Sequence, residues 1–150
     1  MDLSVREAGR GDLPELMRLY TYLHGEPVPE ELPWDAWEEI LRDPRQHVLL
    51  VEQEGQAVSS CTVTIVPNLT HAQRPYALVE NVVTVERFRG RGYATACLNR
   101  AREIAQECGC YKISLMTGSK RESTLRFYER AGYLRGEKTA FVQWLDRTEK

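Results

Sequence analysis

The sequence predicts an α/β domain with mostly antiparallel strands first and a β–α–β–α–β second half. Three observations predict it. Two β-rich runs flank the turn pair Glu54-Gly55, between His47 and Val66. A long amphipathic segment from Ala94 to Cys108 follows a strand-like run. A second helical segment then separates two further β-rich stretches. The 150 residues suit one domain spanning 1–150, and a chain of this size buries roughly two-thirds of its surface on folding.

The elements follow in order. Leu3 to Glu7 reads as a first strand. Asp12 with Glu15 makes a capping-box pattern, and Pro14 falls in the first helical turn, where its missing N–H costs nothing. Leu13, Leu16, Met17, Tyr20 and Leu23 recur at helical spacing, and Gly25, Pro27 and Pro29 end that helix. Pro33 to Asp43 gives a weaker helix carrying Trp34, Trp37, Ile40 and Leu41. Strands are expected over His47–Gln53, Val58–Val66 and Tyr76–Val85, with a polar loop from Pro67 to Pro75. In the long helix Ala94, Cys97, Leu98, Ala101, Ala105 and Cys108 share one face, and Gly109 suits its C-terminal stop. A strand over Tyr111–Thr117 follows. Ser119 and Glu122 form a second capping-box pattern before a helix ending at Gly132, and Tyr133 to Leu145 reads as a last strand.

Composition narrows the function classes. Twenty basic side chains stand against twenty-two acidic ones, so binding nucleic acid by bulk charge is not expected. No apolar run approaches the ~20 residues of a membrane helix, and the N-terminus carries no apolar signal core. The expected setting is cytoplasmic, without a membrane partner. Cys61, Cys97, Cys108 and Cys110 are expected to be reduced thiols. Neither His24, His47 nor His71 stands at a ligand spacing, so no metal is expected.

The chemistry-bearing segment is Val82 to Thr95. A strand feeds Arg87-Phe88-Arg89-Gly90-Arg91-Gly92-Tyr93-Ala94, which opens the long helix. The two glycines let the backbone turn tightly and approach a ligand. The N–H groups of Gly90 to Thr95 then converge at a helix N-terminus, and Arg89 and Arg91 add positive charge. The plain alternative is a glycine turn with solvated arginines. A P-loop needs Lys followed by Ser or Thr after its second glycine, where Tyr93-Ala94 stands. A dinucleotide fingerprint needs glycine or alanine at the position held by Thr95.

Arg89-Gly90-Arg91-Gly92-Tyr93-Ala94 resembles the Gln/Arg-x-x-Gly-x-Gly/Ala motif of the GNAT acyl-CoA N-acyltransferases. The resemblance extends through Glu80 to Val85 and to Phe127-Tyr128-Glu129-Arg130-Ala131-Gly132-Tyr133, similar to that family's closing signature. It implies the GNAT fold, a mixed, mostly antiparallel sheet of about six to seven strands flanked by about four helices. It also implies acetyl-CoA as co-substrate and a small-molecule amine as acceptor. Gly109 to Ile113, with Glu80, resembles the glucosamine-6-phosphate N-acetyltransferases, but Asn81 replaces an acid of that subgroup.

The resemblance also distributes roles. Arg89, Gly90, Arg91, Gly92, Tyr93, Ala94 and Thr95 would grip the pyrophosphate. Val83 would polarise the thioester carbonyl from a strand bulge, and Val83 and Val85 would pair with the pantetheine arm. Thr124 and Phe127 would border the cofactor. Tyr128 would protonate the departing thiolate; the alternative is that Phe127 and Tyr128 only pack. Glu80 would take the amine proton directly or through water, because a carboxylate on an apolar strand needs a partner or a purpose. The alternative is a surface acid. Asn81 would meet the substrate.

Seven acids between Glu26 and Asp43 face one base, Arg42. They form either a rim attractive to a cationic amine or a solvated helix face. The last β-rich stretch offers an edge to a second copy, so a homodimer is expected. The competing, non-enzymatic expectation is an acyl-CoA-binding sensor module.

Overall fold

The computed structural model describes residues 3–146. They form two compact units, one through Leu115 and one from Met116.

The first unit is a five-stranded sheet in the order β1-β2-β3-β4-β5. Its strands are β1 (Val5–Glu7), β2 (Gln46–Gln53), β3 (Gln56–Val66), β4 (Tyr76–Thr84) and β5 (Ile113–Leu115). All neighbours run antiparallel except β4 and β5, which are parallel. Between β2 and β3, Glu54 and Gly55 both take positive φ, 52° and 77°, the type I′ geometry that matches strand twist.

The helices of this unit are α1 (Leu13–His24), α2 (Trp34–Arg42), a single turn α3 (Thr70–Gln73) and α4 (Tyr93–Glu107). Val48 and Leu50 of β2 form a buried cluster with Leu13, Leu16 and Trp37. Alternation turns the equally buried Leu49 and Val51 to the other face. There Cys97, Leu98 and Ala101 of α4 are buried, and α4 packs on β2, β3 and β4. The helix stops as expected: Gly109 is left-handed, its N–H donates to Gln106, and Cys110 N–H donates to Ala105.

The capping-box expectations fail for a tertiary reason. Asp12 does not cap α1; it takes two hydrogen bonds from Arg6, both 2.8 Å, and one from Gly9 N–H at 2.7 Å. Glu15 accepts the Ala57 N–H at 3.0 Å and pairs with Arg18. Both carboxylates thus tie the start of α1 to the sheet. Neither does Ser119 cap the last helix; its hydroxyl accepts from Arg121 N–H at 3.3 Å.

The second unit contains α5 (Glu122–Arg130). The strand expected over Tyr133–Leu145 is absent among the described residues. The strand count is therefore five rather than six to seven. Phe141 and Leu145 are 89% and 92% exposed, so their β-propensity finds no cross-strand partner to realise it. No helix among the described residues is long and apolar enough to cross a membrane.

Candidate functional site

The site begins where β4 outruns its neighbour. β5 pairs only with Ala77, Leu78 and Val79, while β4 continues to Thr84. From Glu80 onward that edge of β4 therefore carries no strand among the described residues.

A bulge sits at the same place. Thr62 pairs with Glu80 and Ser60 with Val83, so Asn81 and Val82 together oppose Cys61. Asn81 takes φ 54°, a conformation that Asn tolerates better than most side chains. Glu80 and Asn81 are both exposed. Strict alternation would have put them on opposite faces, and the bulge removes that constraint.

The bulge also resets the phase of the strand. Val85 N–H donates to Val58 O at 2.9 Å, and Val83 O accepts from Ser59 Oγ at 3.0 Å. The backbone groups expected to meet the ligand, those of Val83 and Val85, are thus turned toward β3. Alternation hands the open edge to Val82 and Thr84 instead. The Thr84 carbonyl accepts from Arg89 Nε at 3.3 Å. Sequence reasoning did not place Val82 and Thr84 on this edge because the extra residue of a bulge leaves no side-chain signature; the Asn at 81 was the available signal.

Past Thr84 the chain makes a 3-10 turn, Glu86–Phe88, which buries Phe88 edge-on to Tyr93, centroids 6.0 Å apart. Arg87 and Arg91 lie over the Phe88 ring, 4.8 and 5.4 Å from its centroid. This ring is the post around which the loop is wound. Gly90 and Gly92 are left-handed, at φ 76° and 87°, where a side chain would be strained.

Gly92 is the N-cap of α4 and offers no side chain to cap it. The first bond of the helix runs from Ala96 N–H to Gly92 O. The N–H groups of Tyr93, Ala94 and Thr95 precede that ladder. No acid lies in the first turn. Among the described residues Arg87, Arg89 and Arg91 pair with no carboxylate. Donors and positive charge converge on one loop, an arrangement that fits a pyrophosphate.

Phe127 and Tyr128 lie on α5, half-buried, their rings 5.0 Å apart at 64°. Tyr128 also meets Tyr133 edge-on at 6.4 Å, and its carbonyl accepts the Tyr133 N–H at 3.0 Å. Thr124 is half-buried on the same helix.

Behind the sheet, Cys61 of β3 is hydrogen-bonded to Cys97 of α4; that bond and burial push the Cys61 thiol well above its usual value. All four cysteines are free. Among the described residues no group of three or more His, Cys, Asp or Glu side chains is placed to hold a metal. The acidic segment is only partly neutralised: Glu38 pairs with Arg10, and Asp43 with Arg45.

A family model described as the Acetyltransferase (GNAT) family matches residues 13–133. The chain belongs to this family. The fold of its members agrees with the sheet and helices above. A putative acetyltransferase from Agrobacterium tumefaciens str. C58 superposes with a TM-score of 0.88 at 37% identity, over 95% of this chain and 100% of that one. A protein titled a transcriptional regulator, from Bacillus halodurans C-125, gives 0.84 at 28% identity, over 95% and 100%. A glucosamine 6-phosphate N-acetyltransferase from Trypanosoma brucei brucei is 34% identical over 79 residues, which is 53% of this chain and 52% of that protein. The chain thus spans about half the length of this curated relative.

Proposed function

We propose that the protein transfers the acetyl group of acetyl-CoA to a primary amine of a small molecule. The observation that carries this reading is the edge of β4 from Glu80 to Thr84, which pairs with no strand among the described residues and leads straight into a loop of helix-start N–H groups and arginines that meet no carboxylate among those residues. An extended pantetheine arm would add to that edge as a strand does. Arg89 to Thr95 would hold the pyrophosphate. Thr84 N–H, on the open edge, replaces Val83 as the donor to the thioester carbonyl.

An amine is protonated near pH 7, its pKa being about 10, and must lose a proton before it attacks. Glu80 is the proposed acceptor of that proton, directly or through water, with Asn81 beside it on the substrate. Tyr128 is the proposed donor to the departing thiolate, and Thr124 and Phe127 flank the cofactor. The whole chain is read as one acyltransferase domain. Its four free thiols suit the reducing cytoplasm. The exposed 139–145 segment supports a homodimer, and no nucleic-acid or membrane partner is proposed. The acidic stretch Glu26–Asp43 supports a cationic acceptor.

Titration with CoA, followed by thiol release across a panel of amines, tests this function. Binding with release by at least one amine is the expected result. Binding without release across a broad panel would favour a non-catalytic sensor, the reading that the likeness to a protein titled a transcriptional regulator supports. No binding at all would refute both.

A further inference from the structure

Two serines stand side by side on β3, and both are fully buried. A buried hydroxyl must find a partner, and these two find theirs in opposite directions. Ser60 Oγ donates to the carbonyl of Leu49 on β2 at 2.7 Å. Ser59 Oγ donates to the carbonyl of Val83 on β4 at 3.0 Å and lies 2.9 Å from Thr84 Oγ1. A serine has one hydroxyl hydrogen. Since Ser59 gives its hydrogen to Val83, the Thr84 hydroxyl is the donor between the two side chains.

The consequence lies in the peptide joining Val83 to Thr84. A trans peptide is planar, and its carbonyl and N–H point opposite ways. Anchoring the Val83 carbonyl toward β3 therefore aims the Thr84 N–H at the open edge. A hydrogen bond accepted at the carbonyl also polarises the N–H of the same peptide, which makes it a better donor. This support falls just beyond the bulge, where the ladder between β3 and β4 shifts register. Thr84's own hydroxyl is held by the same serine, so side chain and backbone are fixed together.

We infer that Ser59 is a positioning residue for the acyl donor: its hydroxyl fixes the Val83–Thr84 peptide and so aims the Thr84 N–H that the pantetheine arm or thioester carbonyl meets. This rests on the proposed course of acyl-CoA along β4. Ser59 touches no reacting atom; it acts through the peptide. Neither serine has a place in the family signature described above, and Ser60, as buried as Ser59, plays no such part because its bond runs away from the site.

The pair supplies its own control. In Ser59→Ala the KM for acetyl-CoA and the dissociation constant of CoA should rise about tenfold, the size expected for one hydrogen bond. The KM for the amine should be unchanged. In Ser60→Ala the protein should lose comparable thermal stability while both acetyl-CoA constants stay at wild-type values. Should Ser59→Ala not fold, Ser59→Cys keeps a side chain of similar shape with a weaker donor and carries the same expectation. Equal changes in the Ser59 and Ser60 variants, or no change in either, would overturn the inference and leave the proposed function standing. Failure of the wild-type protein to bind CoA would overturn both.

Discussion

The backbone N–H of Val85 donates to the carbonyl of Val58 at 2.9 Å, and this bond sets which way the peptide groups at the end of β4 face. Val85 and Val83 turn inward to β3; Thr84 and Val82 turn to the edge that β5 leaves open. Proline substitution distinguishes the two sets by the N–H it deletes, and it also replaces a buried side chain at Val85 and the hydroxyl that meets Ser59 at Thr84. Val85→Pro should destabilise the protein by roughly 1 kcal/mol or more, since it deletes a sheet hydrogen bond. Thr84→Pro should cost less stability, yet CoA binding by calorimetry should fall at least tenfold. Equal CoA affinity in Thr84→Pro and wild type would show that the open edge is not where the ligand lies.

The glycine loop makes a conformational prediction rather than a steric one. Nothing lies within 4 Å of a methyl group placed on Gly90, yet its φ is 76°. Gly90→Ala and Gly92→Ala should each cost about 1–2 kcal/mol, the usual strain of a left-handed alanine. The strain can be relieved only by unwinding the loop, so CoA affinity should fall with stability. Gly11→Ala, where the added methyl also meets nothing and φ is ordinary, should leave the melting temperature and CoA affinity unchanged.

Asp12 predicts an acid-limb effect. The paired Arg6 guanidinium, and then the Gly9 N–H, hold its carboxyl below the usual carboxylate range. Glu15 is lowered in the same way by Arg18 and by the Ala57 N–H. A carboxyl lowered in the folded state adds stability that is complete above its unfolded value, about 3.9 for Asp. That stability is lost as pH falls through the lower folded value. Asp12→Asn should therefore cost about 1 kcal/mol at pH 7, a modest figure because Arg6 is half exposed and screened. The gap between variant and wild type should narrow as pH falls from 7 to below the unfolded value of about 3.9. Urea unfolding at both pH values measures it; a gap independent of pH would assign the effect to packing.

Much of this was legible in the sequence because it rests on local chemistry. The Glu54-Gly55 turn, the Gly25 and Gly109 helix stops and the face of α4 follow from backbone preference and periodicity. What was not legible depends on partners distant in sequence. Asp12 and Glu15 look like caps until Arg6 and Ala57 claim them. Val83 and Val85 look like ligand contacts until an extra residue at Asn81 resets the strand. Phe141 to Leu145 reads as a strand, but propensity alone forms no ladder.

That last segment predicts self-association. Phe141, Val142 and Leu145 are 89%, 60% and 92% exposed, an unusual cost in water for neighbouring side chains. If a second copy covers them, sedimentation should show a dimer whose dissociation follows dilution. Phe141→Asp with Leu145→Lys should shift it to monomer without lowering the melting temperature of the remaining fold. A wild-type protein monomeric at ~100 μM, a concentration far above that needed for micromolar association, would exclude the contact.

Tyr128 carries the last prediction, because its role separates binding from chemistry. Its ring is already held by Phe127 at 5.0 Å and Tyr133 at 6.4 Å, contacts that phenylalanine reproduces. Tyr128→Phe therefore removes the hydroxyl and keeps the packing. If that hydroxyl protonates the leaving thiolate, turnover should fall by roughly 10²–10⁴, the range for loss of a general acid. CoA affinity should stay within about twofold, since no binding group is removed. The loss should also shrink for acyl donors with a more acidic leaving thiol, which needs less help from a proton donor. A variant with wild-type turnover would remove Tyr128 from the chemistry and leave the ring its packing role alone.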